Sequence, residues 1–272
     1  MSADLDPRGF SACAAAGRTA LGLIVKQARN VDIAVASAAC GYDVLYLDLQ
    51  HSCMSVDNAG QICVTALGQG ITPWVRVGLN DHAAVLRLLD AGAMGIVFPD
   101  VRSAQEARAA VQLCRFAPLG QRSSAARAPQ FGYRAVPAAD ARQWLDAHTA
   151  VVVMIESLEG LRQVDTIAAE PGVGMVHVGC GDLAADMGLG SDRDHPALFE
   201  ALQTIQAACA RAGCHFGVGG FSATGGAALA RALALRPAFI TAGNEWSLML
   251  SAMESRARDL RDQLNPPQRK TL

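Results

Sequence analysis

The sequence of 272 residues predicts a single (β/α)8 TIM barrel of the α/β class, and two patterns support this prediction. Eight short apolar segments alternate with longer segments of helical character. The apolar segments are nearly uninterrupted, as expected for parallel strands that are buried on both faces. Eight such units fill about 250 residues, the usual size of this barrel. A doubly wound parallel sheet is the alternative if fewer than eight strands form.

The predicted elements follow one another along the whole chain. The strands comprise residues 21–25, 44–48, 73–77, 95–99, 151–155, 175–178, 215–218 and 239–242. The helices comprise residues 31–40, 56–68, 81–91, 103–114, 157–169, 224–235 and 244–264, with further helices after Asp182 and His195. Asp81 and Ser103 suit N-cap positions, because short polar side chains bind the free N–H groups of a first helical turn.

Three segments fall outside this alternation. Residues 1–20 lead into the first strand, and residues 115–149 form a long excursion between strands 4 and 5. Since long connections are usually functional or mobile, we expect the excursion to form a lid over the mouth of the barrel, with a surface excursion as the alternative. The last helix, 244–264, suits either an oligomer interface or an ordinary face within the chain. Its apolar side chains are Trp246, Leu248, Met249 and Met253.

The composition restricts the class of partner. Hydrophobic residues make up 51% of the chain, and its formal net charge is −2, which argues against a nucleic-acid or anionic-membrane binder. Residues 212–230 carry no charge but hold six glycines, too many for a membrane span. Eight cysteines are scattered without a Cys-x-x-Cys pattern, and the first residues are acidic, unlike a signal peptide. We therefore expect a cytoplasmic protein with reduced thiols.

Polar side chains follow several of the predicted strands, at the end of the barrel where active sites of this fold lie. Glu156 and Asp182 follow neighbouring strands 5 and 6, so both carboxylates are expected within reach of one ion. Two carboxylates with waters suit a hard divalent cation such as Mg²⁺ or Mn²⁺. The alternative is that each acid only caps a helix. The other polar residues at this end are Asp48, Gln50, His51, Arg76, Asp100, Asn244 and Glu245. Strand 6 leads into Gly179, Cys180 and Gly181, where glycines let the backbone approach a ligand.

Several of these side chains have two possible roles. His51 is either a general base beside the acidic Asp48 or an ordinary loop residue. Arg76, a charged residue within a strand, needs a carboxylate or a substrate anion as partner. Asp90 either ends a hydrogen-bond chain to His51 or lies on a solvated helix face. Cys180 has no dedicated histidine beside it and is not expected to act as a nucleophile. The remaining strand histidines, His177 and His215, are expected to be core residues.

Six motifs in order along the chain resemble the HpcH/HpaI family of class II, metal-dependent pyruvate aldolases in the phosphoenolpyruvate/pyruvate barrel superfamily. The resemblance covers residues 22–250. The motifs comprise residues 42–51, which end in Asp48-Leu-Gln-His51, and residues 73–81, 88–93, 118–122, 154–157 and 178–183. Each motif alone is a weak signal, whereas six at matching intervals are specific.

The resemblance implies a role for each matching residue. Glu156 and Asp182 would bind a divalent metal ion (Mg²⁺ or Mn²⁺, with Co²⁺ possible), and Arg76 would stabilise the enolate oxygen of pyruvate. His51 would be the general base, with Asp90 raising its basicity. Gly179, Cys180, Gly181, Asp182 and Met154 would line the substrate site. No lysine lies at a predicted strand end, which argues against a Schiff-base aldolase.

The implied reaction is the reversible cleavage of a 4-hydroxy-2-oxo acid to pyruvate and an aldehyde. The resemblance also implies a homo-oligomer, namely a hexamer built as a trimer of dimers. Four positions depart from the family pattern, where Glu, Gly or Ala, Gln and Pro are usual: Gln50, Ser52, Met154 and Cys180. The alternatives are an oxaloacetate decarboxylase, an acyl-CoA lyase, or a non-catalytic barrel that binds metal and pyruvate.

Overall fold

The computed structural model describes residues 9–78, 81–124, 127–221 and 226–264. Its centre is a closed barrel in which eight strands follow each other in sequence order. All neighbouring strands are parallel, and the first strand pairs with the eighth, which closes the barrel. This topology confirms the predicted (β/α)8 barrel and excludes the doubly wound sheet, whose two edge strands do not pair with each other.

The strands and helices alternate as the sequence predicts. The strands are Ala20–Val25 (β1), Val44–Asp48 (β2), Thr72–Arg76 (β3), Gly95–Phe98 (β4), Ala150–Ile155 (β5), Met175–Gly179 (β6), His215–Gly219 (β7) and Phe239–Asn244 (β8). The helices are Phe10–Ala15 (α1), Asp32–Ala39 (α2), Val56–Gln69 (α3), His82–Asp90 (α4), Ala104–Cys114 (α5), Ala138–His148 (α6), Leu158–Arg162 (α7), Val164–Ala168 (α8), Cys180–Asp186 (α9), Pro196–Ala212 (α10), Ala227–Ala234 (α11) and Glu245–Leu264 (α12).

Two of the helices begin at the N-cap residues that the sequence predicts, and two other predicted helices have different bounds. The Asp81 and Ser103 side chains accept hydrogen bonds from N–H groups in the first turns of α4 and α5, which confirms both predicted N-caps. The helix predicted at 157–169 is instead two short helices, α7 and α8, which are interrupted at Gln163. The predicted start at 224 lies outside the described residues, and α11 begins at Ala227.

Side-chain alternation along the strands separates two cores. Outward-facing residues such as Leu45 and Leu47 pack under the helices, whereas Val44, Tyr46 and Trp74 fill the barrel interior. Helix α1, within the lead-in to the barrel, closes the N-terminal end of that interior. There the ring centroids of Phe10 and Trp74 lie 4.8 Å apart. Because the period is two, the residues that follow Tyr46 and Trp74 on the same face are polar and lie at the opposite end, the mouth.

The excursion 115–149 does not lie at the mouth, and the prediction of a lid does not fit its described residues. Gln130, in a 3-10 turn at Pro129–Phe131, donates its side-chain amide to the carbonyls of Leu89 and Ala93, at 2.8 and 3.4 Å. Both carbonyls precede β4, at the N-terminal end of the barrel. The topology requires this placement, since α5 runs antiparallel to the strands and returns the chain to the end where β5 begins.

Candidate active site

Asp48 and Arg76 form a buried ion pair at the mouth of the barrel. They end the adjacent strands β2 and β3 in direct register, and both side chains face inward. Arg76 Nε lies 3.0 Å from Asp48 Oδ1, and Arg76 Nη2 lies 2.5 Å from Oδ2. Burial acts to raise the pKa of Asp48, but the Arg76 guanidinium outweighs it and holds this pKa below its usual value. The partner that Arg76 needed is therefore Asp48.

The Asp48 carboxylate also organises the loop that carries His51. Its Oδ1 accepts hydrogen bonds from the main-chain N–H groups of Gln50 and His51, at 3.1 and 3.2 Å. The His51 ring is exposed and makes no side-chain hydrogen bond to the described residues. Asp48 thus positions His51 through the backbone of the loop. The sequence predicted Asp48 as an acidic neighbour of the His51 ring, whereas the structure shows a hydrogen bond to the main-chain N–H.

Glu156 follows β5 with one carboxylate oxygen satisfied and the other buried without a partner. Its Oε1 accepts the Asp100 N–H at 2.8 Å, whereas Oε2 contacts no hydrogen-bond donor among the described residues. Burial, and then the charge of Asp182, raise the pKa of Glu156 to about 7. A buried carboxylate oxygen without a donor is a suitable ligand for a hard cation.

The turn between β6 and α9 packs directly against this carboxylate. A methyl group at Gly179 would lie 2.6 Å from Glu156 Oε2, so glycine leaves room for the carboxylate in its observed position. Asp182, in the first turn of α9, is exposed and is close enough to raise the pKa of Glu156. Among the described residues, no group of three or more His, Cys, Asp or Glu side chains suits a metal ion. The two carboxylates of Glu156 and Asp182 are near enough to influence each other, and two carboxylates completed by waters are a donor set that suits a divalent ion.

Two further side chains of the predicted site are apolar or neutral. Met154 lies in the barrel interior, where its sulfur accepts the Tyr46 hydroxyl at 3.6 Å and lies 4.0 Å from Arg76 Nη1. The Cys180 thiol is fully buried, and this burial raises its pKa to about 12, so a thiolate nucleophile is not available.

Comparison with known proteins identifies the family. The family model of HpcH/HpaI aldolase/citrate lyase matches residues 22–222. The chain belongs to the HpcH/HpaI aldolase/citrate lyase family. A 4-hydroxy-4-methyl-2-oxoglutarate aldolase of Hapsidospora irregularis is 38% identical over 209 residues, which are 76% of this chain and 77% of the relative. A 5-keto-4-deoxy-D-glucarate aldolase of Citrobacter koseri is 34% identical over 259 residues, which are 94% and 98% of the two chains.

Solved structures agree with this assignment. An HpcH/HpaI aldolase from Desulfitobacterium hafniense shares the fold with a TM-score of 0.87 at 24% identity, over 94% of this chain and 97% of that one. An HpcH/HpaI aldolase/citrate lyase family protein from Burkholderia cenocepacia gives a TM-score of 0.79 at 29% identity, over 90% and 95%. The present enzyme is thus an aldolase, a carbon–carbon lyase, and the non-catalytic barrel is not favoured.

None of its described helices combines the length and apolar character that crossing a membrane requires.

Within one chain, the structure does not join Asp90 to His51 as the sequence predicts. Asp90 ends α4 at the N-terminal end of the barrel, where its carboxylate lies 3.6 Å from the Arg122 guanidinium. Burial raises the pKa of Asp90 despite this guanidinium. His51 lies at the mouth, and within the described part of the chain no hydrogen bond joins the two residues. A nine-residue helix runs the length of the barrel wall and separates them.

Two histidine predictions have different outcomes. His177 is a buried core residue as predicted, and burial, aided by the charge of Arg76, lowers its pKa to about 3, so that the ring is neutral. His215 is exposed at the start of β7, so its prediction as a core residue is wrong. The first position of a strand lies at the rim of the barrel, and there an apolar pattern does not ensure burial.

Lys26, one of the two lysines in the chain with Lys270, is a residue of the mouth that the sequence pattern did not predict. Lys26 directly follows β1, and its Nζ lies 3.6 Å from Asp48 Oδ2 at the mouth. The statement that no lysine lies at a strand end is therefore wrong. Its position immediately after an apolar strand was the signal that could have identified it.

Glu245 anchors the loop that carries Lys26. Its Oε1 accepts the N–H groups of Lys26, Gln27 and Ala28 at 2.8, 2.5 and 3.0 Å. The junction between β8 and α12 thereby fixes the loop after β1, and gives the predicted polar residue Glu245 a positioning role.

Proposed function

We propose that the enzyme reversibly cleaves a 4-hydroxy-2-oxo acid to pyruvate and an aldehyde or oxo compound, with a divalent metal ion held by Glu156 and Asp182. The observation that carries this proposal is the buried, unpartnered Oε2 of Glu156, next to Asp182 and within the electrostatic influence of Arg76. Mg²⁺, Mn²⁺ and Co²⁺ all suit carboxylate ligands with waters. Bound there, such an ion supplies Lewis-acid polarisation of the 2-oxo group.

The side chains of the mouth account for the proton and charge movements of cleavage. His51 takes the proton of the C4 hydroxyl, the C3–C4 bond breaks, and C4 leaves as a carbonyl. The electron pair of the broken bond passes through C3 to the C2 oxygen and forms the enolate of pyruvate. Arg76 stabilises the charge on that oxygen with its Nη1, since Nε and Nη2 bind Asp48. His51 then returns its proton to C3, directly or through a water, and this gives pyruvate.

The substrate would lie against the turn after β6. We assign Gly179, Cys180, Gly181 and Asp182 to the carboxylate end of the 2-oxo acid, where the absence of a side chain at the glycines lets the backbone approach a ligand. Met154 would form the apolar floor beneath it. Asp48 acts as a positioning residue, because it holds both Arg76 and the His51 loop.

We also propose that the enzyme is a homo-oligomer, a hexamer, with α12 packed on a neighbouring chain. None of the 20 residues of α12 is buried, although several are large and apolar. Trp246 is 43% exposed and Met253 is 58% exposed. We place the enzyme in the reducing cytoplasm because all eight cysteines are free.

The proposal is tested by measuring pyruvate release from a panel of 4-hydroxy-2-oxo acids, coupled to NADH oxidation by lactate dehydrogenase. Activity that EDTA abolishes and Mn²⁺ or Mg²⁺ restores supports it, and Glu156→Gln should remove the response to metal. Oxaloacetate is included to detect decarboxylation as the main activity.

A covalent lysine mechanism would give a different result. Borohydride reduction in the presence of pyruvate would then attach a stable adduct to Lys26, which mass spectrometry locates. Cleavage that resists EDTA, together with this adduct, would refute the metal-dependent mechanism.

A further inference from the structure

Opposite sectors of the mouth carry opposite charges. Glu156 and Asp182 follow β5 and β6, whereas Lys26 follows β1 and Arg76 ends β3. In a closed barrel of eight strands, β1 lies across from β5. A substrate chelated at the carboxylate sector and extended across the mouth therefore ends among positive charges.

The ammonium group of Lys26 is not saturated by its neighbours. Its Nζ lies 3.6 Å from Asp48 Oδ2, too far for a direct hydrogen bond, and the described residues provide no other side-chain partner. Asp48 already accepts two bonds from the Arg76 guanidinium and two from main-chain N–H groups. The Lys26 side chain is 30% exposed, so a ligand at the mouth can reach it.

The loop around Lys26 is ordered and adds positive charge. The Arg29 guanidinium donates to the Lys26 carbonyl at 2.7 Å, which holds a second cation beside it. Glu245, at the start of α12, packs against this loop. Its carboxylate already accepts hydrogen bonds from the main-chain N–H groups of residues 26–28 and of Trp246. Lys26, Arg29 and Arg76 lie near Asp48 and Glu245, whereas the next acid along the chain, Asp32, opens α2 and accepts a hydrogen bond from the Asn30 side chain at 3.1 Å.

We propose that Lys26 forms a subsite for a second carboxylate, so that the enzyme acts on 4-hydroxy-2-oxo diacids in preference to substrates with a neutral tail. This inference rests on the proposed function, which orders the substrate along the strands. The 2-oxo acid end lies at β5 and β6, the C2 oxygen at Arg76 of β3, and the C4 hydroxyl at His51 after β2. The next carbon of the chain then faces β1, where Lys26 lies.

A matched substrate pair isolates this subsite. 4-Hydroxy-2-oxoglutarate and 4-hydroxy-2-oxopentanoate differ only in a carboxylate or a methyl group at C5. We expect wild-type kcat/KM to favour the diacid, and Lys26→Met to lower the ratio of the two values by about 10- to 100-fold, as expected for the loss of one hydrogen-bonded ion pair. Lys26→Arg should retain most of the preference because it keeps the charge.

A control separates this effect from a general change in charge. Arg211 lies on α10 and forms an exposed ion pair with Asp165 of α8. Arg211→Met removes one positive charge there and should leave the ratio of the two kcat/KM values unchanged. An equal ratio for wild type and Lys26→Met, or an equal fall in the control, would overturn the subsite.

Binding distinguishes failure of this inference from failure of the proposed function. If neither substrate is cleaved with Mn²⁺ present, the lyase proposal fails, and calorimetry then tests Lys26 alone. The Mn²⁺-loaded protein is titrated with 2-oxoglutarate and with 2-oxopentanoate, which carries a methyl group in place of the distal carboxylate. Selective weakening of 2-oxoglutarate by Lys26→Met, by at least about tenfold, supports the subsite, whereas equal affinities before and after the change refute it.

Discussion

Replacing Glu156 with glutamine should stabilise the metal-free enzyme at alkaline pH, because the buried carboxyl group is costly to ionise. Its pKa is raised from 4.5 to about 7, first by burial and then by the charge of Asp182. Between these two values the unfolded chain releases a proton that the folded chain retains, so rising pH favours unfolding. The cost is absent below about pH 4.5 and complete above about pH 7.

The size of the effect follows from the two pKa values. The difference of about 2.5 between 4.5 and 7 corresponds to about 3.5 kcal/mol, since one pKa unit is worth about 1.4 kcal/mol. For a chain of this size, this changes the unfolding temperature by roughly 7–14 °C. Glutamine has nearly the same shape and retains an oxygen for the Asp100 N–H, so the difference reports the charge.

Thermal unfolding followed by circular dichroism in EDTA measures this difference. We expect Glu156→Gln to raise Tm at pH 8 and to leave it nearly unchanged at pH 4.5. Glu159→Gln, an exposed carboxyl nearby, is the matched control and should have little effect at either pH. Mn²⁺ at pH 8 should raise Tm of the wild type alone. The reasoning is refuted if the Glu156→Gln offset is the same at both pH values.

Three further changes test other parts of the site. Arg76→Met leaves Asp48 buried with Lys26 as its remaining cation and should cost about 3–5 kcal/mol of stability at pH 7. Because the Asp48 pKa is lowered, that cost should shrink in acid as the carboxyl group is protonated, and a cost independent of pH would contradict this. Cys180→Ala should retain pyruvate release, and iodoacetamide should not inactivate the enzyme; inactivation that Cys180→Ala prevents would show a reactive thiol. Met253→Glu on α12 should reduce the oligomer to smaller species in analytical ultracentrifugation, whereas Glu254→Gln should not; an unchanged mass would exclude this face from the interface.

The barrel and the location of its mouth were predictable because they depend on local sequence pattern. Uninterrupted apolar runs specify strands buried on both faces, and the first polar residue after each run marks the end where ligands bind. This rule identified Glu156 and Asp182 from sequence alone. Applied to the strand that ends at Val25, the same rule also identifies Lys26.

The pairing of side chains was less accessible, since it depends on register and on the end of the barrel that each loop occupies. The partner of Arg76 became clear only when β2 and β3 aligned Asp48 opposite it. The same dependence on topology explains why the predicted positions of Asp90 and the excursion 115–149 differ from those in the structure. A strand followed by an antiparallel helix returns the chain to its starting end, and this rule places both at the N-terminal end.

The hydrogen bonds from residues 26–28 to Glu245 join two parts of the chain that are synthesised far apart in time. The loop after β1 emerges early in translation, yet the carboxylate that orders its three amides comes almost at the C-terminus. One rim of the pocket therefore lacks its anchoring carboxylate until the residue after the eighth strand has been synthesised. Nascent chains that lack this last junction hold Asp48 and Arg76 in sequence but have no fixed ammonium group beside them.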